Sequence, residues 1–205
     1  MRARLPTLPV ACAVGLVLLT SAFAVAADRQ RGFVDVYGGG LYLFESDVPG
    51  STFENPGGTI GGRIGVWVND NWGVALRAWY FQTDASLARS TSESDLVFLG
   101  LSVEVVGRWP IDDRWTVYGS LGPAMAINTL DTQRIVQAQP VEEDARSISP
   151  GVSGALGIET RLLRHLSAFA ETQGSLVYPS FRFSDQRIAP ELLNIYGLVG
   201  LRIPF

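Results

Sequence analysis

The feature that most constrains this chain is a strict two-residue alternation of apolar with small or polar side chains, repeated in eight segments. In the third segment the apolar positions are Trp72, Val74, Leu76, Ala78 and Tyr80, and the alternate positions are Gly73, Ala75, Arg77 and Trp79. Successive side chains of a β-strand point to opposite faces, so this period indicates strands and not helices. The other segments begin near Val34, Thr59, Val97, Trp115, Val152, Leu166 and Leu193. We therefore expect eight strands.

Each segment has one continuously apolar face, while the other face carries Gly, Ala, Ser and single charges. The segments are roughly 9–13 residues long, close to the length that a tilted strand needs to cross a bilayer and longer than strands of soluble proteins. Small residues suit the crowded interior of a narrow closed barrel. The mean hydropathy of +0.19 fits apolar faces that point to lipid. The alternative is a soluble β-sandwich or barrel whose apolar faces meet in a core.

The connections between the segments alternate between long and short. The long ones cover residues 45–58, 82–95, 128–150 and 179–190, and the short ones cover 69–71, 110–113 and 162–164. Outer-membrane barrels alternate short periplasmic turns with long extracellular loops in this way, and their sheets close because lipid cannot pair with an open strand edge. The predicted fold class is all-β: a closed eight-stranded antiparallel transmembrane β-barrel with short periplasmic turns and long extracellular loops.

Residues 1–26 are predicted to be a signal peptide. Arg2 and Arg4 precede an apolar stretch over residues 8–27, and two small-x-small sites place cleavage between residues 24 and 27. An uncleaved membrane anchor is the alternative, because about 20 residues span a bilayer. The mature chain, residues 27–205, then lacks the single cysteine, Cys12, and carries 14 arginines (16 − 2) against 20 acidic residues. This acidic balance argues against nucleic acid as a partner.

Several short stretches carry a family resemblance. They are Val34-Asp35-Val36-Tyr37-Gly38-Gly39-Gly40, Asn69-Asp70-Asn71-Trp72-Gly73, Tyr118-Gly119-Ser120-Leu121-Gly122, Phe169-Ala170-Glu171 and the terminal Phe205. With them the mature chain resembles the small eight-stranded outer-membrane barrels of the OmpA/OmpX-like family. We expect the barrel domain alone, without the peptidoglycan-binding domain of full-length OmpA-like proteins.

The resemblance implies an integral protein of the Gram-negative outer membrane with a structural or surface-interaction role. Its partners would be outer-membrane lipid and lipopolysaccharide, and the barrel-assembly machinery would read Phe205 as a C-terminal signal. The ligand of the extracellular loops is not identified by any residue. The long loops are acidic, but they lack an ordered cation-ligand spacing such as that of an EF-hand.

Eight charged residues are predicted to point into the lumen, since they share the parity of the small residues. They are Asp35, Arg63, Arg77, Glu104, Glu159, Arg161, Glu171 and Arg202. A turn centred on Asp70 sets Arg63 opposite Arg77, so acids must separate them. Asp35 and Glu104, on the flanking strands, are expected to lie between the two arginines, and Arg202 is expected to approach Asp35 or Glu171. A second turn, centred near Leu163, would set Glu171 opposite Ala155 and Glu159 opposite Ser167.

An unpaired charge in a low-dielectric lumen is costly, whereas an Arg–carboxylate pair is strong and directional. We therefore predict a salt-bridge network that plugs the barrel. A small gated pore is the alternative. Eight strands leave an interior just wide enough for side chains, which favours the plug.

The segment His165-Leu166-Ser167 is similar to the His-x-Ser of the outer-membrane lipid A deacylases, and Glu171 shares its strand face. In such an enzyme Ser167 would be the nucleophile and His165 the base. Their parity points to the lumen, whereas a lipid substrate approaches from outside, and His165 lies at the periplasmic end. We therefore predict a protein without enzymatic activity, and the sequence indicates no catalytic, cofactor or metal site.

Aromatic residues are predicted to form two interfacial girdles. Trp72, Trp109 and Trp115 flank the short turns, and Tyr42, Phe44 and Tyr80 lie near the long loops. Trp79 and Phe169 have the opposite parity and are expected inside the barrel.

Overall fold

The computed structural model describes residues 32–46, 51–53, 57–87, 94–136, 139–182, 187–188 and 191–205. Eight long strands make up most of them: β1 (Gly32–Ser46), β2 (Gly58–Trp67), β3 (Trp72–Leu87), β4 (Ser94–Pro110), β5 (Trp115–Val136), β6 (Gln139–Leu163), β7 (Leu166–Val177) and β8 (Glu191–Pro204). The predicted signal peptide lies outside the described residues. Within the described ranges, no helix is long and apolar enough to span a membrane.

The eight strands form a closed antiparallel barrel. Each strand pairs with its neighbours in the chain, and β1 also pairs with β8 to complete the circle. If the paired residues are followed from strand to strand around the barrel, a circuit that starts at Asp35 returns to β1 at Glu45. The stagger of the closed sheet is therefore ten residues (45 − 35). Such a stagger accompanies strands that are tilted against the barrel axis. The predicted fold class is confirmed.

The two faces of the barrel wall have opposite chemistry. Asp35 and Glu104 point inward and are only 1% and 0% exposed, whereas Leu121 and Leu156 point outward and are 67% and 72% exposed. A soluble sandwich would bury its apolar faces against each other. The burial therefore excludes the sandwich and agrees with outward faces that meet lipid.

Five inward aromatic rings each lie over a glycine directly opposite on the next strand. The pairs are Phe33 with Gly65, Tyr37 with Gly61, Trp79 with Gly100, Tyr118 with Gly157 and Phe169 with Gly200. At Gly100 an added Cβ atom would come within 2.2 Å of the Trp79 ring. The glycines provide the space that large rings need in a narrow lumen. The inward positions predicted for Trp79 and Phe169 are confirmed.

The β5–β6 hairpin is much longer than predicted. Its strands contain 22 and 25 residues and stay paired up to Val136 and Gln139. The loop predicted at residues 128–150 is therefore wrong, because nearly all of it is paired strand. The apolar alternation ends in this polar stretch while backbone pairing continues, so the pattern marks only the part of a strand that faces lipid. Three shorter strands complete the description: Ser51–Phe53 pairs with β3, and Phe181–Arg182 pairs with Arg187–Ile188.

The three predicted short turns are present, at residues 68–71, 111–114 and 164–165. The register after the third turn differs from the prediction by two residues. Glu171 lies opposite Gly157 and not Ala155, and Glu159 lies opposite Phe169 and not Ser167. The cause is that the turn falls at residues 164–165 after an irregularity between Arg161 and Leu163. A shift of two residues keeps every side chain on its predicted face.

Candidate functional site

The candidate functional site is a cluster of charged side chains inside the barrel. Asp35 on β1 binds two arginines, one from each neighbouring strand. Arg63 on β2 donates from Nε at 2.7 Å, and Arg202 on β8 donates from Nε at 2.7 Å and from Nη2 at 2.8 Å. All three side chains are buried. One carboxylate therefore holds both arginines and fixes the orientation of their planar guanidinium groups in the lumen.

Glu171 reaches into the lumen from β7, on the opposite wall of the barrel from β2 and β3. Its Oε1 accepts a hydrogen bond from Arg77 Nη1 at 2.5 Å, and its Oε2 lies 3.3 Å from Arg63 Nη1 and accepts from the Tyr118 hydroxyl at 2.9 Å. The register places Arg63 directly opposite Arg77. Glu171 is thus the acid that bridges this like-charged pair.

Arg77 is also held from the β4 side. Its Nε lies 3.0 Å from Glu104 Oε1 on β4, and from the opposite wall the Gln173 amide oxygen on β7 accepts a hydrogen bond from its Nη1 at 2.8 Å. Glu104 accepts a further hydrogen bond from the Ser102 hydroxyl at 2.8 Å. Asp35 and Glu104 hold the outer sides of the two arginines and do not lie between them, which corrects that prediction.

Aromatic rings surround the arginine heads. Arg202 lies 4.6 Å from the Phe33 ring centre and 4.8 Å from that of Tyr118, and Arg63 lies 5.2 Å from the same Tyr118 ring. Arg77 lies 5.5 Å from the Tyr37 ring centre. Cations are attracted to ring faces at such distances. The predicted lumen network contains only charged residues and so omits Tyr118 and Gln173, although the inward parity of both could have indicated them.

Two of the eight predicted lumen residues differ from the other six. Glu159 is half-buried and pairs with Arg202, so it forms the periplasmic edge of the cluster. Arg161 lies opposite the lumen-facing Ser167, but it is exposed and makes no ion pair with the cluster, so the predicted network does not include it. It is the last of the inward-parity positions of β6 before the turn, where the lumen opens to solvent.

The sequence matches a protein-family model described as "Outer membrane protein beta-barrel domain" over residues 15–186. This chain belongs to that outer-membrane barrel family. Curated proteins compared with the barrel give no significant sequence match. Because the match covers most of the chain, it places the barrel in the outer membrane.

Solved structures agree with the fold of this outer-membrane barrel. Neisserial surface protein A is 11% identical, with a TM-score of 0.54 over 85% of this chain and 97% of that chain. A major outer membrane protein from Thermus thermophilus is 11% identical, with a TM-score of 0.56 over 85% and 99%. The outer membrane protein AlkL is 12% identical, with a TM-score of 0.50 over 86% and 91%. At such low identity these likenesses concern the fold alone.

The structure does not assemble the His–Ser–acid arrangement considered for this barrel. His165 is exposed in the β6–β7 turn, whereas Ser167 is buried on the lumen side. Across the described residues, no hydrogen bond joins His165 to Ser167. Glu171 is already occupied by Arg63 and Arg77, so it is not available to orient an imidazole.

The short-turn end of the barrel shows the predicted tryptophan girdle. Trp72, Trp109 and Trp115 are exposed there, and the rings of Trp72 and Trp109 meet edge to face at 5.8 Å. Of the opposite girdle only the Tyr80 side chain is described, and it is half-exposed on the outward face of β3; nothing is described of the side chains of Tyr42 and Phe44. The side chains of the acidic residues of the predicted loops are not described either.

Two of the short turns are closed in the same way. The side-chain oxygen of Asn69 accepts the backbone N–H groups of Asn71 and Trp72, and Asp112 Oδ1 accepts those of Arg114 and Trp115. The two hydrogen bonds favour the charged carboxylate, so they lower the pKa of Asp112 from its ordinary value. An Asx residue followed by a tryptophan three positions later therefore ends each hairpin at the membrane interface.

Proposed function

We propose that the protein is a non-enzymatic outer-membrane barrel with a structural or surface-interaction role, whose lumen is closed to ions by the buried charge cluster. Its partners are outer-membrane lipid and lipopolysaccharide and, during biogenesis, the barrel-assembly machinery that reads Phe205. The non-enzymatic assignment is supported by Glu171, which is paired with Arg63 and Arg77, and by Ser167, which is buried on the lumen side while His165 is exposed in the turn.

The observation that carries the proposal is the bridging position of Glu171. It binds Arg63 and Arg77 from across the lumen, while Asp35 and Glu104 hold the same arginines on their own side. Ion pairs therefore extend from wall to wall. An ion passing through would have to separate buried charge pairs in a low-dielectric interior, which is costly.

Aromatic rings support the closure on the extracellular side of the cluster. Phe81 stacks on Phe98 at 4.5 Å, and the Trp79 indole N–H donates to the Tyr196 hydroxyl at 3.1 Å. All four side chains are buried. A permeating ion would therefore meet a packed apolar layer as well as the ion pairs.

Planar-bilayer conductance tests the proposal. The purified wild-type barrel is expected to give no steady open-channel current. Arg63→Ala removes a side chain that crosses the lumen and leaves Asp35 and Glu171 with fewer cations, so openings are expected to become frequent. Arg146→Ala is the control, since Arg146 is exposed on β6 far from the cluster. Steady currents from the wild-type protein would contradict the closed lumen and favour a pore.

The non-enzymatic assignment has its own test. Lipid A is incubated with the wild-type barrel and with Ser167→Ala, and released fatty acid is measured. We expect no release above the protein-free background from either protein. Release that Ser167→Ala abolishes would instead establish a deacylase.

A further inference from the structure

Two inward-facing arginines at the short-turn end of the barrel have no acidic partner. Arg108, near the end of β4, has the inward parity of Glu104, and Arg161, near the end of β6, lies directly opposite the lumen-facing Ser167. Among the described residues, neither guanidinium group has a carboxylate within ion-pair distance, whereas each of the three arginines of the buried cluster has two. Short turns of outer-membrane barrels face the periplasm, so these two cations lie at the periplasmic mouth of the lumen.

Arg108 is held in place at the rim of this mouth. Its Nε donates to the Asp70 carbonyl oxygen at 2.7 Å, and its guanidinium carbon lies 4.1 Å from the centre of the Trp67 ring. Asp70 belongs to the β2–β3 turn, and Trp67 is the last residue of β2. The side chain is half-buried, so solvent still reaches it. Because these contacts fix the guanidinium group before a ligand arrives, binding costs less conformational entropy.

The charges around Arg108 leave the mouth cationic. The charged groups that act on it are the carboxylates of Glu159 and Asp70 and the guanidinium groups of Arg202 and Arg161. With Arg108 itself, three cations therefore face two anions. An anion that enters the mouth from the periplasm meets a surplus of positive charge.

The register adds a hydroxyl group between two of these cations. Ser167 on β7 lies opposite Arg161 on β6 and opposite Arg202 on β8. A serine hydroxyl can donate a hydrogen bond to an oxygen of a ligand held beside it. Arg202 already donates to Asp35 and Glu159. Arg108 and Arg161 are therefore the arginines that remain to bind a ligand directly.

We propose that the periplasmic mouth of the lumen binds a soluble phosphate-type oxyanion between Arg108 and Arg161. Each guanidinium group offers parallel N–H donors that match two oxygens of a phosphate group. The site lies on the inner side of the barrel wall, so its ligand arrives from the periplasm and not from the lipid. Binding at the mouth does not require a closed lumen, so this proposal and the proposed closure fail independently.

Calorimetric titration of inorganic phosphate into the folded barrel tests the site. The protein is held at neutral pH in a nonionic detergent, which carries no phosphate group, and chloride keeps the ionic strength constant. The wild type is expected to bind one phosphate per barrel. Arg108→Gln and Arg161→Gln are each expected to weaken binding by about tenfold, since each removes charge-assisted hydrogen bonds to the ligand.

Two further variants separate the site from a general attraction of anions. Arg146→Gln removes an exposed arginine at the other end of β6 and is expected to leave phosphate binding unchanged. Glu159→Gln removes one of the two carboxylates that act on Arg108 and releases the Nη1 group of Arg202. It is expected to strengthen phosphate binding. A loss of folding would not produce such a gain.

Three results would overturn the proposal. They are the lack of saturable phosphate binding by the wild type, an effect of Arg146→Gln as large as that of Arg161→Gln, and weaker binding by Glu159→Gln. Displacement of phosphate by phosphatidylglycerol added to the micelles, with none by phosphatidylcholine, would also overturn it, because the occupant would then be a lipid headgroup. Heat-modifiable migration on gels checks the folding of each variant. If Arg108→Gln does not fold, the exposed Arg161 decides the outcome through Arg161→Gln.

Discussion

Replacing Glu171 by Gln is the sharpest test of the buried cluster, because it removes one charge with little change of shape. The carboxylate contacts Arg63, Arg77 and Tyr118. The Gln carbonyl oxygen can still accept the bond from Arg77. Its NH2 group then takes the place of Oε2. An NH2 group cannot accept the hydrogen bond from Tyr118 or pair with Arg63.

The expected loss of stability follows from these contacts. Removing one partner of a buried ion pair costs about 3–5 kcal/mol. Arg63 keeps Asp35 and Arg77 keeps Glu104, so we expect the lower end of that range, about 3 kcal/mol. This is a substantial share of a total stability of about 5–15 kcal/mol. With a urea slope of about 1–3 kcal/mol per M, the unfolding midpoint should fall by at least about 1 M.

The assay is reversible urea unfolding of the barrel in lipid vesicles, followed by tryptophan fluorescence. Thr172→Val is the matched control. Thr172 is the next residue on β7 and faces outward, and Thr and Val are nearly isosteric, as are Glu and Gln. Its midpoint should change by much less than that of Glu171→Gln. Equal midpoints for Glu171→Gln and the wild type would refute the reasoning that Glu171 is what makes the opposed arginines tolerable.

Further predictions concern glycine packing and the turns. Gly100→Ala should destabilise the barrel by about 1–3 kcal/mol because its Cβ would meet the Trp79 ring, whereas Gly174→Ala, whose Cβ enters open space, should be neutral or slightly stabilising in the same urea assay. Comparable losses from both would contradict the steric explanation. The Asp112 carboxyl should titrate below 3.8 in an NMR pH series, because hydrogen bonds from the backbone N–H groups of Arg114 and Trp115 lower its pKa. The stability that it contributes is present at neutral pH and is lost as the pH falls through that lowered pKa; a midpoint at or above 3.8 would contradict the turn geometry.

Much of the charged site could be anticipated from parity. Asp35, Arg63, Arg77, Glu104, Glu171 and Arg202 are buried, as their alternation with apolar residues predicts. The register of Arg63 opposite Arg77 also follows from the centre of the β2–β3 turn. Parity does not predict which ion pairs form across the lumen, because Glu171 comes close to Arg63 and Arg77 only through the closure and tilt of the sheet. Arg161 has the inward parity but is exposed, since it lies where the barrel ends.

The sequence by itself determined the eight lipid-facing segments, their inward and outward faces and the places of the three short turns, because period 2 and bilayer width act locally along a strand. Only the tertiary structure decided the length of the β5–β6 hairpin, the register after the third turn and the contacts across the lumen. Backbone pairing does not require apolar side chains, so a hairpin can continue where the pattern stops. Contacts between opposite walls depend on the ten-residue stagger of the closed sheet. The residue pattern within a single strand does not determine this stagger.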